Sequence, residues 1–153
     1  MLHPLLRASA TLLFLLATFS AAAADRQPAS RLGRAGSNWP GWRGPQANGH
    51  STEGGLPTEW LPQSVTWKLP LKGRGHSTPI IWGERIFLTT ALENGKERVV
   101  LCVNRNDGQV LWEKTAWTGD PEPSHTMNGW ASPTCATDGE HVYAFFGKGG
   151  LHC

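Results

Sequence analysis

The side chains able to do chemistry gather in two short stretches. The first is EKTAWTGDPEPSHTMNGWA, Glu113 to Ala131, which carries Asp120, Glu122, His125, Asn128 and Trp130. Two acids and an imidazole are types that bind divalent cations, but their spacing fits no standard metal site. An imidazole, a carboxamide and an indole in one loop suit recognition instead, since connecting loops carry binding groups more often than the elements they join. A plain surface loop is the competing reading of the same residues. The second stretch is GRGHS, Gly73 to Ser77, where Arg74 and Gly75 beside His76 could let backbone approach an anion. A hydrogen-bonded structural histidine is the preferred reading of His76.

Catalytic signatures do not accompany these groups. No G-x-S-x-G elbow, phosphate loop or paired-carboxylate arrangement of a catalytic kind occurs in this segment. GKGGLHC, Gly147 to Cys153, is rich in glycine but lies between two strand patterns and opens no helix, so it reads as a hairpin turn. Cys102, Cys135 and Cys153 cannot all pair within one chain and show no Cys-x-x-Cys spacing. They are expected as small apolar residues buried in strands, although export would permit one disulfide.

The elements that position these residues are strands. From Asn38 onward there is no sustained helical period, and all 8 tryptophans lie in this part. STPIIW, RIFLTTA, RVVLCV and QVLWEK are short runs rich in β-branched and aromatic residues, broken at Gly83, Asn94-Gly95 and Asp107-Gly108. They predict four successive antiparallel strands, with Gly108 supplying positive φ in a tight turn. SPTCATDGEHVYAFFGKGGLHC then restates the same order: Gly139-Glu140 matches Gly83-Glu84, Val142-Tyr143 matches Ile86-Phe87, and Cys153 matches Cys102. SVTWK, with Val65 and Trp67, restates the outgoing strand that holds Val110 and Trp112.

A repeated four-stranded unit of ~40 to 50 residues predicts an all-β chain built as a β-propeller of four-stranded antiparallel blades. Trp67 and Trp112 are then pegs between blades, each burying ~150 to 250 Å², or roughly 4 to 6 kcal/mol gross at ~25 cal/mol per Å². The smallest common propeller needs more than ~160 residues. The 153 residues supply about one and a half blades plus one leading strand, and are expected to be an N-terminal fragment whose remaining blades are missing. Unpaired edges and an exposed apolar face are expected of such an arc.

Ahead of this domain, Arg7 is followed by an uncharged run from Ala8 to Ala24 centred on TLLFLLATF and closed by AAAA. That pattern predicts a signal peptide over residues 1–24, a linker over 25–37 and a propeller domain over 38–153, exported to the periplasm or beyond with no membrane span after cleavage. Lys and Arg number 14 against 12 Asp and Glu, a net charge of +2. Such a balance gives no electrostatic case for nucleic acid or anionic membrane as partner.

VNRNDGQVLWE, Val103 to Glu113, resembles the tryptophan-docking repeat of the pyrroloquinoline-quinone (PQQ) type β-propellers. Gly108 and Trp112 match its glycine and tryptophan, while Asn104 and Asp107 replace its usual aspartate and threonine. NWPGWRGPQANGHS, LPTEW, GRGHSTPI and ATDGEHVYAFFG are similar to exported bacterial members of that PQQ-like repeat group. The resemblance implies one of two functions. One is a noncatalytic scaffold, like the BamB outer-membrane-assembly propeller, that binds protein partners through mouth loops bearing His76, His125, Asn128 and Trp130. The other is the N-terminal part of a periplasmic quinoprotein dehydrogenase, with PQQ and calcium held in the missing blades. The scaffold is the preferred reading, with no catalytic, cofactor-binding or metal residue in this segment.

Overall fold

The computed structural model describes residues 38–153; the expected signal peptide, 1–24, and linker, 25–37, lie outside the described residues. Two antiparallel sheets make up the body. The first contains β1 (Ile80–Trp82), β2 (Arg85–Leu92), β3 (Glu97–Asn104) and β4 (Val110–Thr118), hydrogen-bonded in that order. The second contains β5 (Ala136–Thr137), β6 (Val142–Phe145) and β7 (Leu151–His152), again in sequence order. The helical elements among the described residues are three single 3-10 turns, so the all-β expectation holds.

Local sequence explains the joints. Gly83 turns β1 into β2 and Gly108 turns β3 into β4, with φ of 56° and 74°. The β2–β3 turn needs a left-handed backbone at Glu93 and Asn94 as well as at Gly95. GKGG forms the expected hairpin turn between β6 and β7. On β4, two register shifts against β3 leave Leu111 and Ala116 as extra residues, which increases the local twist. SVTWKLPL departs from expectation: Val65 to Leu71 forms no strand, and the stretch is held to the first sheet by its side chains.

The two sheets share a register. Ile80↔Phe87 and Ile81↔Ile86 in the first sheet recur as Ala136↔Tyr143 and Thr137↔Val142 in the second. Leu88↔Leu101 recurs as Ala144↔His152, so one further step would set Cys153 opposite Tyr143 as Cys102 stands opposite Phe87.

Because side chains alternate across a strand, each sheet has two distinct faces. One face of the first sheet presents Phe87, Ala91, Val100 and Cys102, which pack with Ala144 of the second sheet, with Phe146 at the head of its β6–β7 turn and with Cys135. Its other face presents Leu88, Val99, Leu101 and Val103, covered by Trp67 and Leu69. In the shared register, Ala144 corresponds to Leu88. The sheets therefore stack head to tail, the second meeting the first with the face that the first turns toward Trp67. The opposite face of the second sheet carries the facing pair Phe145 and Leu151, which are 50% and 70% exposed.

Trp39 pairs with Ile81 through N–H···O bonds of 2.7 and 2.8 Å, and Asn38 Oδ1 accepts from Gly83 N at 2.7 Å. These contacts cover the outer edge of β1. Among the described residues no helix is long and apolar enough to cross a membrane.

Candidate functional site

Three segments meet at the end of the first sheet that carries the β2–β3 turn: the approach Leu71–Ser77, the turn Glu93–Gly95, and the connection from Gly119 to Ser132. The approach runs beside β2. Arg74 and Ala91 exchange two backbone hydrogen bonds of 2.9 Å, and Ser77 Oγ accepts from Thr89 N at 3.0 Å. Gly75 lies so close to β2 that a Cβ there would stand 2.5 Å from Thr89 O, which is why this approach tolerates glycine at that place.

The long connection is anchored by a residue that sequence reasoning passed over. Arg98, on β3, is fully buried. Its guanidinium donates to both oxygens of Glu122, at 3.2 and 2.5 Å, and to Phe146 O at 2.5 Å. Its charge also lies 4.2 Å from the ring centroid of Trp117. A charge out of water needs such compensation, and the fork geometry of arginine supplies it bidentately. Hydrogen bonding to Arg98 is the main cause holding the Glu122 carboxyl below its ordinary value. Arg98 thus ties β3, the connection and the second sheet together, and Lys148 Nζ adds a 3.2 Å bond to Asp120 O. Its position at the start of an apolar strand gave no sign of this in the sequence.

The expected recognition residues lie on this anchored connection and the approach facing it. Trp130 is half-buried; it occupies the space a Gly95 side chain would need, and its Nε1 donates to Glu122 O at 2.7 Å. Ser132 Oγ stands within hydrogen-bond reach of both Asn128 Oδ1 and Gly129 O, the latter at 2.9 Å, and its single proton goes to one of them at a time. His125 forms the tip: Asn128 N donates to its carbonyl at 2.9 Å, and Met127 N donates to its Nδ1 at 3.2 Å. With Nδ1 accepting, the neutral ring carries its proton on Nε2. Met127 beside it is 83% exposed.

His76 N donates to Ala131 O at 3.0 Å, and its ring lies against Gly129, where a Cβ would stand 3.2 Å from Nδ1. The structure therefore brings His76 to the base of the loop, while His125 stands at the tip. Ser132 spends its hydroxyl on this loop rather than on a histidine, so it has no base to activate it. Among the described residues no three His, Cys, Asp or Glu side chains are grouped to hold a metal ion.

Along Leu71 to Ser77 runs a groove of about 370 Å³, lined also by Leu88, Thr89 and Thr90. Lys72 and Arg74 supply its charge, His76 adds its ring, and no acidic side chain lines it.

The three residues expected to dock the sheets are distributed differently. Trp67 sits on Gly108 and donates from Nε1 to Arg105 O at 2.9 Å. Trp112 points to the other face, 6.0 Å from Phe87, and is half-buried beside a groove of about 660 Å³ that also reaches Trp82, Gly139 and Cys153. Gly108 and Trp112 are thus neighbours in sequence with different partners. Cys102 and Cys135 are buried and Cys153 is exposed, all three as free thiols. Compared with family models, with curated proteins and with solved structures, the chain matches none.

Proposed function

We propose that this chain is a PQQ-type β-propeller repeat segment of an exported protein, acting as a noncatalytic scaffold like the outer-membrane-assembly propeller. The two sheets are successive blades. Protein partners dock on the loops at one mouth, where His125, Met127 and Asn128 stand exposed above Trp130 and His76.

The observation that supports this reading best is the head-to-tail stack. Units that pack by two different faces either close into a ring or continue as an open array. The four-stranded first sheet turns one face toward Trp67 and the other toward the three-stranded second sheet. On the second sheet the onward face, with Phe145 and Leu151, is apolar and exposed, as an unfinished stack requires. Trp67 stands on the first sheet where the outgoing strand of a preceding blade would stand, and Trp112 is placed to do the same for the next.

Noncatalytic action draws support from how the polar groups are used. Glu122, Ser132 and the side-chain oxygen of Asn128 hold the connection in shape. That is the economy of a rigid binding loop, in which ordering precedes the partner.

Calorimetric titration of the full-length protein with PQQ and calcium tests this. The scaffold reading expects no saturable heat and no dye-linked oxidation of alcohols or sugars. Tight quinone binding would replace it with the dehydrogenase reading.

A further inference from the structure

At the tip of the long connection His125 closes a turn with its own ring. Met127 N donates to His125 Nδ1 at 3.2 Å, and Asn128 N donates to His125 O at 2.9 Å. A backbone N–H can only donate, so the first bond exists only while Nδ1 carries no proton. Protonation of Nδ1 sets N–H against N–H and removes it. The second bond, to the carbonyl, does not depend on the ring.

Elsewhere the chain closes the same turn, from one residue to the amide two places on, with side chains whose charge is fixed near neutrality. His50 N donates to Asn48 Oδ1, Asn106 N to Asn104 Oδ1 and Gln109 N to Asp107 Oδ1, each at 2.9 Å. These are Asx turns. At position 125 an imidazole stands in for the carboxamide, which gives this turn a response between about pH 5 and 8. Two other ring contacts have the opposite sense. His141 Nδ1 lies 3.4 Å from Asp138 Oδ2, and His152 Nε2 lies 2.7 Å from Gly149 O. Both oxygens accept, so a proton on the ring preserves those contacts.

The segments around the tip carry other charges. The approach has Lys72, Arg74 and His76, the β2–β3 turn has Glu93 and Lys96, and the connection itself has Asp120 and Glu122. Lys148 reaches in from the second sheet to Asp120 O. Glu122 is held by Arg98. The ring bond of His125 goes to the Met127 amide and to none of these side chains. Among them His76 is the second imidazole, with its ring against Gly129.

We propose that His125 is a pH-sensitive clasp of the recognition tip: the neutral ring fixes Met127 in place and the protonated ring releases it. Met127 is 83% exposed, and an exposed thioether is an adaptable contact for a partner, so acidification changes what the mouth presents. The use of this clasp in partner docking rests on the scaffold reading. Its proton dependence rests on the bond alone.

The test is proton–nitrogen correlation NMR of the full chain between about pH 8 and 5, a range above the ordinary carboxylate titrations. The Met127 amide proton should move upfield as pH falls, with the same midpoint as the His125 ring signals. His125→Asn keeps an acceptor in the same place without an imidazole and should hold that amide at its downfield position throughout. His125→Ala should leave it upfield at every pH. Position 125 is exposed, so the amide signals of the strands should be unchanged in both variants. A Met127 amide that ignores the His125 ring, or a transition that survives in His125→Asn and so belongs to His76, would overturn the proposal. Neither outcome involves the quinone titration, so failure of the clasp is distinguishable from failure of the scaffold.

Discussion

The indole of Trp67 fills the space in which a side chain at Gly108 would stand: a Cβ there would meet ring carbon Cε3 at 2.5 Å and Cδ2 at 2.7 Å. Trp67 lies in the segment ahead of β1 and Gly108 in the β3–β4 turn, so the contact holds that segment to the far end of the first sheet. It also explains why the turn glycine has two reasons to be glycine, its φ of 74° and its neighbour.

Gly108→Ala is therefore expected to destabilise by about 3 kcal/mol, of which the left-handed backbone accounts for roughly 1–2. Gly83→Ala is the control. Its φ is 56°, but nothing lies within 4 Å of the added carbon, so only the backbone part should be lost. Urea melts of the two variants compare them directly; equal losses would remove the indole from the account. Combining Gly108→Ala with Trp67→Ala should give less than the sum of the separate losses, as contacting residues do.

Arg98 and Glu122 are coupled in the same way. Glu122→Ala leaves the guanidinium buried without its partner and is expected to cost about 2–3 kcal/mol, below the ~3–5 of a fully enclosed pair because the Glu122 side chain is 33% exposed. Arg98→Met, which removes the charge and keeps much of the volume, should cost less. The order of the two denaturant midpoints decides the point.

The same pair sets an acid response. Arg98 holds the Glu122 carboxyl below the ordinary value near 4.5, so the folded form resists protonation more than the unfolded form. The stabilisation is complete above that pH and is lost as pH falls through the lower folded value. The stability gap between the native protein and Glu122→Gln should be widest at neutral pH and close on acidification below about pH 4.5. Asp138 is also held low, by the amides of His141 and then Glu140, and titrates in both proteins alike. A gap independent of pH would contradict the assignment.

The thiols should separate by burial. Burial pushes the Cys135 thiol up to about 11 and raises Cys102, whereas Cys153 is exposed. Iodoacetamide at pH 8 is expected to label Cys153 in the native protein and the other two only after unfolding, since the thiolate is the reacting form. Mass spectrometry of the peptides reads this out; rapid native labelling of Cys135 would argue against the packed interface between the sheets.

The strands and their order were legible because they are local: alternating apolar residues bounded by Gly83, Asn94-Gly95 and Asp107-Gly108 give β1 to β4, and the repeated turn and aromatic positions give β5 to β7. Trp67 was legible as a packing residue but not its seat on Gly108, since that contact joins residues far apart in the chain and depends on how the leading segment crosses the first sheet. Val65 to Leu71 reads as a strand by composition yet has no described strand to pair with. Arg98 was hidden because a basic residue at a strand start normally stays in water; its burial depends on Glu122, Trp117 and Phe146, which come from three other segments. His76 and Gly129 meet for the same nonlocal reason.

The measurement that bears most directly on the whole account is a cryo-electron microscopy or crystal structure of the protein as exported. The account expects four-stranded sheets stacked head to tail into a closed ring, by further repeats or further copies, with Trp112 seated on a turn glycine as Trp67 is on Gly108. A body of two sheets in which Phe145 and Leu151 remain open to solvent and Trp112 meets no glycine would contradict it.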